Sequence, residues 1–312
     1  MSKRKNTSVV VVATAVALTA SACGSGSGSS GGKEKAKLGF AISALNQPFM
    51  TQMKKGAEEE AKAQGAEITV QDAQEDASTQ ANQVQNFTSK NVKALIINPV
   101  DSDAAGPSVK AAANANIPVV AVDRGVNKAE VKTTVASDNV DGGKMAAKSL
   151  ADQLGGKGKI LVLRGQVGTS SSRERAKGFA EGIKKYPGIK IVAKQPANFL
   201  RDKGLDVTTN VMQAHPDLDG IFAENDEMAL GAAKALGSKS GGDVKVVGFD
   251  GTPEALKAVK KGTLSSTVAQ QPAELGKMAV RNAMRIIDGS TVDPKIKVPV
   301  KVVTKKNVER FS

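Results

Sequence analysis

The chain has no tryptophan, one tyrosine and eight phenylalanines, so aromatic side chains make up 3% of its 312 residues. It has one cysteine, Cys23, and one histidine, His215. One cysteine cannot form an internal disulfide, so the folded part must be held by its core. One His and one Cys cannot supply a zinc site, which needs clustered ligands at suitable spacing. Asp101 and Asp103 could offer oxygens to calcium, but no EF-hand-type loop follows them. The lack of aromatics also weighs against base stacking on single-stranded nucleic acid. The formal charge is +13, yet no run of five or more basic residues exists. Its lysines are spread along helix-like stretches, which reads as a solvated basic surface rather than a nucleic-acid footprint.

Catalytic signatures are scarce as well. Gly237–Gly242 follows a helix pattern and lacks the G-x-x-x-x-G-K-[ST] order. Gly155–Gly158 precedes a strand, the wrong side for holding a phosphate. Gly165–Thr169 follows a strand but has neither a third glycine nor a P-loop lysine. All three read as turns. Ser170, Ser171 and Ser172 have no G-x-S-x-G context and no placed base. His215 falls at a helix end before a strand and reads as a surface residue.

The first 22 residues read as an export signal. Lys3, Arg4 and Lys5 form a basic start, and Val9 to Ala20 is an apolar run too short for a confident membrane span. Leu18-Thr-Ala-Ser-Ala-Cys23 resembles the lipobox of bacterial lipoproteins, although Ala20 stands where leucine is usual. That resemblance implies lipidation at Cys23. Gly24 to Gly32 is only Gly and Ser, a flexible coil that would let a folded body stand off its anchor.

From Lys35 onward, apolar runs alternate with amphipathic stretches. Strands are predicted near 36–42, 67–71, 93–98, 117–122, 132–136, 158–164, 189–193, 219–223, 244–249, 264–269 and 296–303. Pro48 is placed to open a helix, and Asn139 and Asp226 are expected to cap helices. Ala81, Val84 and Phe87 share one helix face; Met228, Ala232 and Leu236 share another, as do Leu275 and Ala279. This rhythm predicts an α/β protein with parallel sheets covered by helices on both sides. Eleven strands are many for one sheet, so two lobes are expected, the second starting near Ser137–Asn139.

Several of these strands end in compact polar groups: Asn98-Pro99, Asp123-Arg124, Glu224-Asn225-Asp226 and Phe249-Asp250. Ligands of open α/β sheets bind beyond the carboxyl ends of the strands. Amides, carboxylates and an arginine beside Phe49 and Phe249 suit a hydroxyl-rich molecule, because each hydroxyl both donates and accepts while C–H faces need apolar walls.

The motifs Ile42-Ser-Ala-Leu-Asn-Gln-Pro-Phe49, Ile97-Asn-Pro-Val-Asp-Ser-Asp-Ala104, Val122-Asp-Arg124, Ala136-Ser-Asp-Asn139, Gly168-Thr-Ser-Ser-Ser-Arg-Glu-Arg175, Gln195-Pro-Ala-Asn-Phe199, Ala223-Glu-Asn-Asp-Glu-Met-Ala-Leu-Gly231 and Val247-Gly-Phe-Asp-Gly-Thr-Pro253 closely resemble the ribose-binding family of bacterial ABC sugar importers. The likeness runs from about residue 36 to 303. It implies a type I periplasmic-binding-protein fold, two Rossmann-like lobes joined by a three-stranded hinge. It divides the chain into a signal peptide (1–22), an anchored linker (23–34), an N-terminal lobe (35–137 with 270–298) and a C-terminal lobe (138–269 with 299–312). It carries sugar contacts onto Ser43, Gln47, Phe49, Met50, Asn98, Asp123, Arg124, Arg175, Phe199, Asn225, Phe249, Asp250 and Gln270. Asp123, Arg124 and Asp250 would bind hydroxyls, Phe49 and Phe199 would sandwich the ring, and Arg175 and Asn225 would engage it from the second lobe. Gln47 departs from the family's usual asparagine, and Met50 from its usual phenylalanine.

The implied function is an exported, membrane-anchored binding protein, monomeric and without cofactor or catalytic residues. It would capture a monosaccharide, D-ribose first, with allose, xylose or galactose left open. It would deliver the sugar to an ABC permease and its ATPase. An extracytoplasmic sensor serving a membrane receptor is the alternative. A sugar-responsive transcription regulator would need an N-terminal helix-turn-helix, where the chain has an export signal.

Overall fold

The computed structural model describes residues 35–311; the expected signal, Cys23 and the Gly/Ser tether lie outside them. The chain begins with β1 (Lys37–Ile42), α1 (Pro48–Ala63), β2 (Glu67–Asp72), α2 (Ala77–Ser89), β3 (Ala94–Ile97), α3 (Gly106–Asn114), β4 (Val119–Val122) and β5 (Thr133–Ser137). A second series follows: α4 (Asn139–Gln153), β6 (Lys157–Arg164), α5 (Ser170–Ile183), β7 (Gly188–Pro196), α6 (Arg201–Ala214), β8 (Gly220–Ala223), α7 (Asp226–Leu236), β9 (Lys245–Asp250), α8 (Pro253–Lys261) and β10 (Ser266–Ala269). It closes with α9 (Pro272–Ile287), β11 (Lys295–Val298) and β12 (Lys301–Thr304).

These strands form two six-stranded sheets, ordered β11-β5-β4-β3-β1-β2 and β12-β10-β9-β8-β6-β7. All ladders are parallel except that of β12 on β10. The inner strands β3, β4, β8 and β10 are buried at every residue, as expected for parallel strands covered on both faces. Each sheet has a hydrophobic cluster on either side. Phe40, Ile96 and Leu275 mark one in the first sheet and Leu95, Val109 and Phe87 its opposite. Leu161, Met228 and Val259 mark one in the second and Phe179, Phe222 and Phe249 its opposite.

The chain passes between the sheets at Ser137–Asn139, at Ala269–Pro272 and at Val298–Lys301. The last passage corrects the single strand expected over 296–303. Pro299 has no N–H for a ladder and breaks the run; β11 then pairs with β5 in the first sheet, and β12 with β10 in the second. Val84 and Phe87 are buried, as are Met228, Ala232, Leu236, Leu275 and Ala279.

Pro48 is the first residue of α1. The two expected helix caps are each displaced by one residue. Asp138 caps α4 and Asn225 caps α7. Asn139 and Asp226 are first helical residues, and their side chains are used elsewhere. Asn139 Oδ1 accepts from Arg175 Nε at 2.9 Å. Asp226 accepts from Thr267 Oγ1 at 2.6 Å and from the Thr252 N–H at 2.8 Å.

Candidate functional site

The carboxyl ends of both sheets face one another across a narrow cleft that holds about 260 Å³ of empty space, its mouth to solvent included. Gln47, Phe49, Met50, Asp123 and Arg124 line it from the first lobe. Ser171, Arg175, Phe199, Asn225 and Asp250 line it from the second, and Gln270 from the passage between them.

Strand and helix ends explain these positions. Proline at the first turn of α1 sets the helix start, so Phe49 and Met50 project from its first turn. Asp123 and Arg124 follow the last residue of β4. Asp123 sits at φ 63°, Phe199 at φ 64° and Asp250 at φ 127°. Non-glycine residues rarely adopt such backbones, and the strain is held only where surrounding structure fixes it.

Buried hydrogen bonds orient the polar groups. Asn98 Nδ2 donates to Asp123 Oδ2 at 3.0 Å and to the Val122 carbonyl at 3.2 Å, while Ser43 Oγ donates to Asn98 Oδ1 at 2.6 Å. Arg124 donates through Nη1 to the Pro99 carbonyl at 3.1 Å. Gln270 Nε2 donates to Asp250 Oδ1 at 2.7 Å, and Arg175 Nη1 stands 3.7 Å from the same oxygen. The Arg175 guanidinium lies 4.0 Å over the Phe249 ring, and Asn225 Nδ2 donates to the Phe199 carbonyl at 3.1 Å. Arg124 Nε, 3.6 Å from Asp123 Oδ2, and Gln270 Oε1 are buried without a hydrogen-bond partner in the protein.

Burial pushes the Asp123 carboxyl up, opposed by the charges of Arg124 and Arg175 and by Asn98. Burial holds the Arg124 guanidinium below its ordinary value, opposed by Asp123. The Asp250 carboxyl is raised well above the usual carboxylate range, by burial first, with Arg175 pulling it down and Asp226 pushing it further up. Two carboxylates and two guanidiniums leave the cavity formally neutral. A charged ligand would leave one of these groups uncompensated, at a large desolvation cost, whereas hydroxyls can satisfy both signs.

Of the residues onto which the family likeness carried sugar contacts, Ser43, Asn98 and Phe249 stand behind the lining and the others form it; Pro99, Glu224 and Asp226 of the strand tips do not line it. Ser43 and Asn98 orient Asp123, and Phe249 is packed in the core against Gly142 and Arg175. Ser171 lines the cavity, although in the sequence it is weighed only as a nucleophile and given no ligand contact. Its signal was the serine triplet after Thr169, which caps α5 and so places Ser171 in the helix's first turn. His215 ends α6, away from the cavity. Among the described residues no cluster of His, Cys, Asp and Glu could hold a metal ion.

The lobes also touch directly beside the cavity. The Ser102 N–H donates to the Gly168 carbonyl at 3.0 Å. The Ser170 N–H donates to Ser102 Oγ at 3.0 Å, and the Gly125 N–H to Ser170 Oγ at 2.8 Å.

A family model described as "periplasmic binding protein domain" matches residues 38–291. The ribose import binding protein of Bacillus subtilis is 45% identical over 276 residues, covering 88% of this chain and 90% of that protein. The ribose import binding protein of Escherichia coli is 44% identical, covering 87% of this chain and 92% of that protein. Among solved structures, an ABC transporter solute-binding protein of Bacillus halodurans with bound myo-inositol is similar with a TM-score of 0.84 at 33% identity, covering 90% of this chain and 98% of its own. Sheet order, the cavity between the lobes and these likenesses agree: the chain belongs to the periplasmic binding protein family, the substrate-binding proteins of ABC transporters, and is a binding protein rather than an enzyme.

Proposed function

We propose that this chain captures a monosaccharide, D-ribose first among candidates, between its two lobes outside the cell and delivers it to an ABC permease and its ATPase. The formally neutral cavity, with carboxylates and guanidiniums from both lobes, is the observation that carries this reading. Phe49 and Phe199, reaching it from opposite lobes, supply faces for the C–H surfaces of a sugar ring. Asp123, Arg124 and Asp250 take hydroxyls, and Arg175 and Asn225 engage the ring from the second lobe. Ser43, Asn98 and Phe249 support these contacts from behind.

The choice of ribose draws on relatives named as ribose import binding proteins. A D-allose-binding periplasmic protein at 34% identity and a xylitol-binding protein at 36% keep other polyols in the test. Gln47 reaches farther than asparagine, and Met50 gives an apolar but flexible wall, so both bear on sugar choice. The sugar bridges the lobes and shifts the population towards the closed form, which the permease recognises. Isothermal titration against ribose, allose, xylose, galactose and glucose is the test. Heat with ribose at the lowest Kd supports the reading; no heat with any sugar overturns it.

The proposal includes the N-terminal lobe as 35–137 with 270–298 and the C-terminal lobe as 138–269 with 299–312. It also includes an anchor at Cys23 and a monomeric state. The anchor is checked by Cys23→Ala, which should move the protein from the membrane fraction to the medium.

A further inference from the structure

Glu224 ends the loop-side tip of β8, is fully buried, and does not line the cavity. Its Oε2 accepts from the Gly165 N–H at 2.8 Å and from Ser172 Oγ at 2.5 Å. Its Oε1 faces Arg164 Nε at 2.7 Å. Its main-chain carbonyl accepts from Arg175 Nη1 at 2.6 Å. One residue therefore joins the end of β6, the first turn of α5 and the guanidinium that enters the cavity.

The same contacts reach the other groups of the second lobe. The N–H groups of Ala197 and Asn198 both donate to the Arg164 carbonyl, at 2.8 and 3.2 Å. This fixes the turn that carries Phe199 at φ 64°. The outer end of the Phe199 ring packs against Gly165, where a Cβ would come within 2.1 Å of it. Asn225, the next residue after Glu224, donates to the Phe199 carbonyl. Burial pushes the Glu224 carboxyl up, while Arg164, Ser172 and the Gly165 N–H hold it down.

A buried carboxylate is costly unless it is paired and hydrogen-bonded, as Glu224 is by the Arg164 charge on one oxygen and by two donors on the other, and such pairing stiffens what it joins. Sites that hold ligands closely depend on such support behind the contacting residues. We propose that Glu224, with Arg164 and Ser172, is a positioning residue that sets Arg175 and Phe199 for the ligand without touching it. This rests on the reading of the cavity as a sugar site.

Three variants test it: Glu224→Gln, Ser172→Ala, and Arg164→Gln combined with Glu224→Gln. In the single glutamine variant the new amide N–H₂ meets the Arg164 donor; in the paired variant one amide accepts from the other. The first readout needs no ligand: NMR signals of labelled Phe rings and Arg side chains in the free protein. Glu224→Gln should shift Phe199 and Arg175 while leaving Phe49 and Phe87 of the first lobe in place. The second is titration with the sugar the native protein binds, beside the melting temperature. Glu224→Gln should raise Kd about tenfold or more, Ser172→Ala about threefold, and the paired variant should recover most of the loss with little change in Tm. Unmoved Phe199 and Arg175 signals, an unchanged Kd in Glu224→Gln and Ser172→Ala, or no recovery in the pair would each overturn the proposal. Should the single glutamine variant not fold, Ser172→Ala and the pair decide. A native protein that binds no sugar would sink the sugar reading, and the NMR shifts would still judge the positioning role.

Discussion

Asp226 illustrates how little of a side chain's role its neighbours in sequence disclose. It sits one residue after the cap of α7, fully buried, holding Thr267 and the Thr252 N–H. Burial pushes its carboxyl up to about 7 from an ordinary 3.8. The folded chain thus keeps a proton that the unfolded chain has released between those values. The associated stability is present in full below the ordinary value and is lost as pH rises through about 7, with a slope of at most about 1.4 kcal/mol per pH unit. Asp226→Asn should therefore flatten the fall in unfolding free energy between about pH 4 and 7, measured by urea denaturation; an unchanged slope would refute this. Within the cavity, Asp123→Ala and Arg124→Ala should each weaken sugar binding by at least about 2 kcal/mol in titration calorimetry, because each leaves a buried polar partner unpaired. Near-native affinity in both would remove them from the site. The acids and amides at the strand tips were legible because polar residues after a buried apolar run have few structural reasons to be there. Which of them face the ligand was not. That depends on whether Asn98 turns to the cavity or, as here, to Asp123, and sequence spacing does not encode such a rotation.

At the scale of elements, three helix pairs meet through reciprocal glycines. A Cβ on Gly56 of α1 would lie 2.1 Å from the Ala273 carbonyl oxygen, and one on Gly276 of α9 2.1 Å from that of Met53. Gly143 and Gly178 join α4 to α5 at 2.4 and 2.0 Å, and Gly204 and Gly231 join α6 to α7 at 2.5 and 2.0 Å. Gly178→Ala should force α4 and α5 apart and cost about 1–3 kcal/mol of stability. It should also weaken sugar binding, since α5 carries Arg175. Gly242→Ala, where nothing lies within 4 Å of the added carbon, is the control. Equal melting temperatures for the two variants would refute the packing argument. The strands were legible as buried runs bounded by polar tips, and Pro299 marked a break that the apolar pattern alone concealed. The glycine contacts were not legible. A glycine within a helix pattern reads as a weak helix former, and the reason for Gly56 lies at Ala273, far along the chain.

At the scale of the molecule, the two lobes meet at the cavity and at Ser102, Gly125, Gly168 and Ser170. A Cβ on Gly168 would come within 1.7 Å of Asp101 Oδ2 in the facing lobe. Gly168→Val should hold the lobes apart. Small-angle scattering with saturating sugar should then give a larger radius of gyration than the native protein, whose own radius should fall when sugar is added. Identical radii would show that this contact does not limit closure. The two-lobed α/β plan was legible from the rhythm of strands and helices, because that rhythm is local. The start of the second lobe near Ser137–Asn139 was legible from that rhythm too, but the later route, with its returns at Ala269 and Val298, came only with the family likeness, since no change of rhythm marks them. That route has a consequence for synthesis. Leu275, Ala279, Val280 and Ala283 of α9 cover Phe40, Ile96 and Val120 of the first sheet, and β11 supplies its edge. A chain emerging from the ribosome N-terminus first therefore leaves that face of the first sheet covered only by α1 until residue 287 has been made. The second lobe, by contrast, lacks only β12 and the C-terminal turn that carries Val308 once Ala269 is out. Nascent chains stopped near residue 260 should remain protease-sensitive across residues 35–137, and the lobe translated first should be the later of the two to acquire protection.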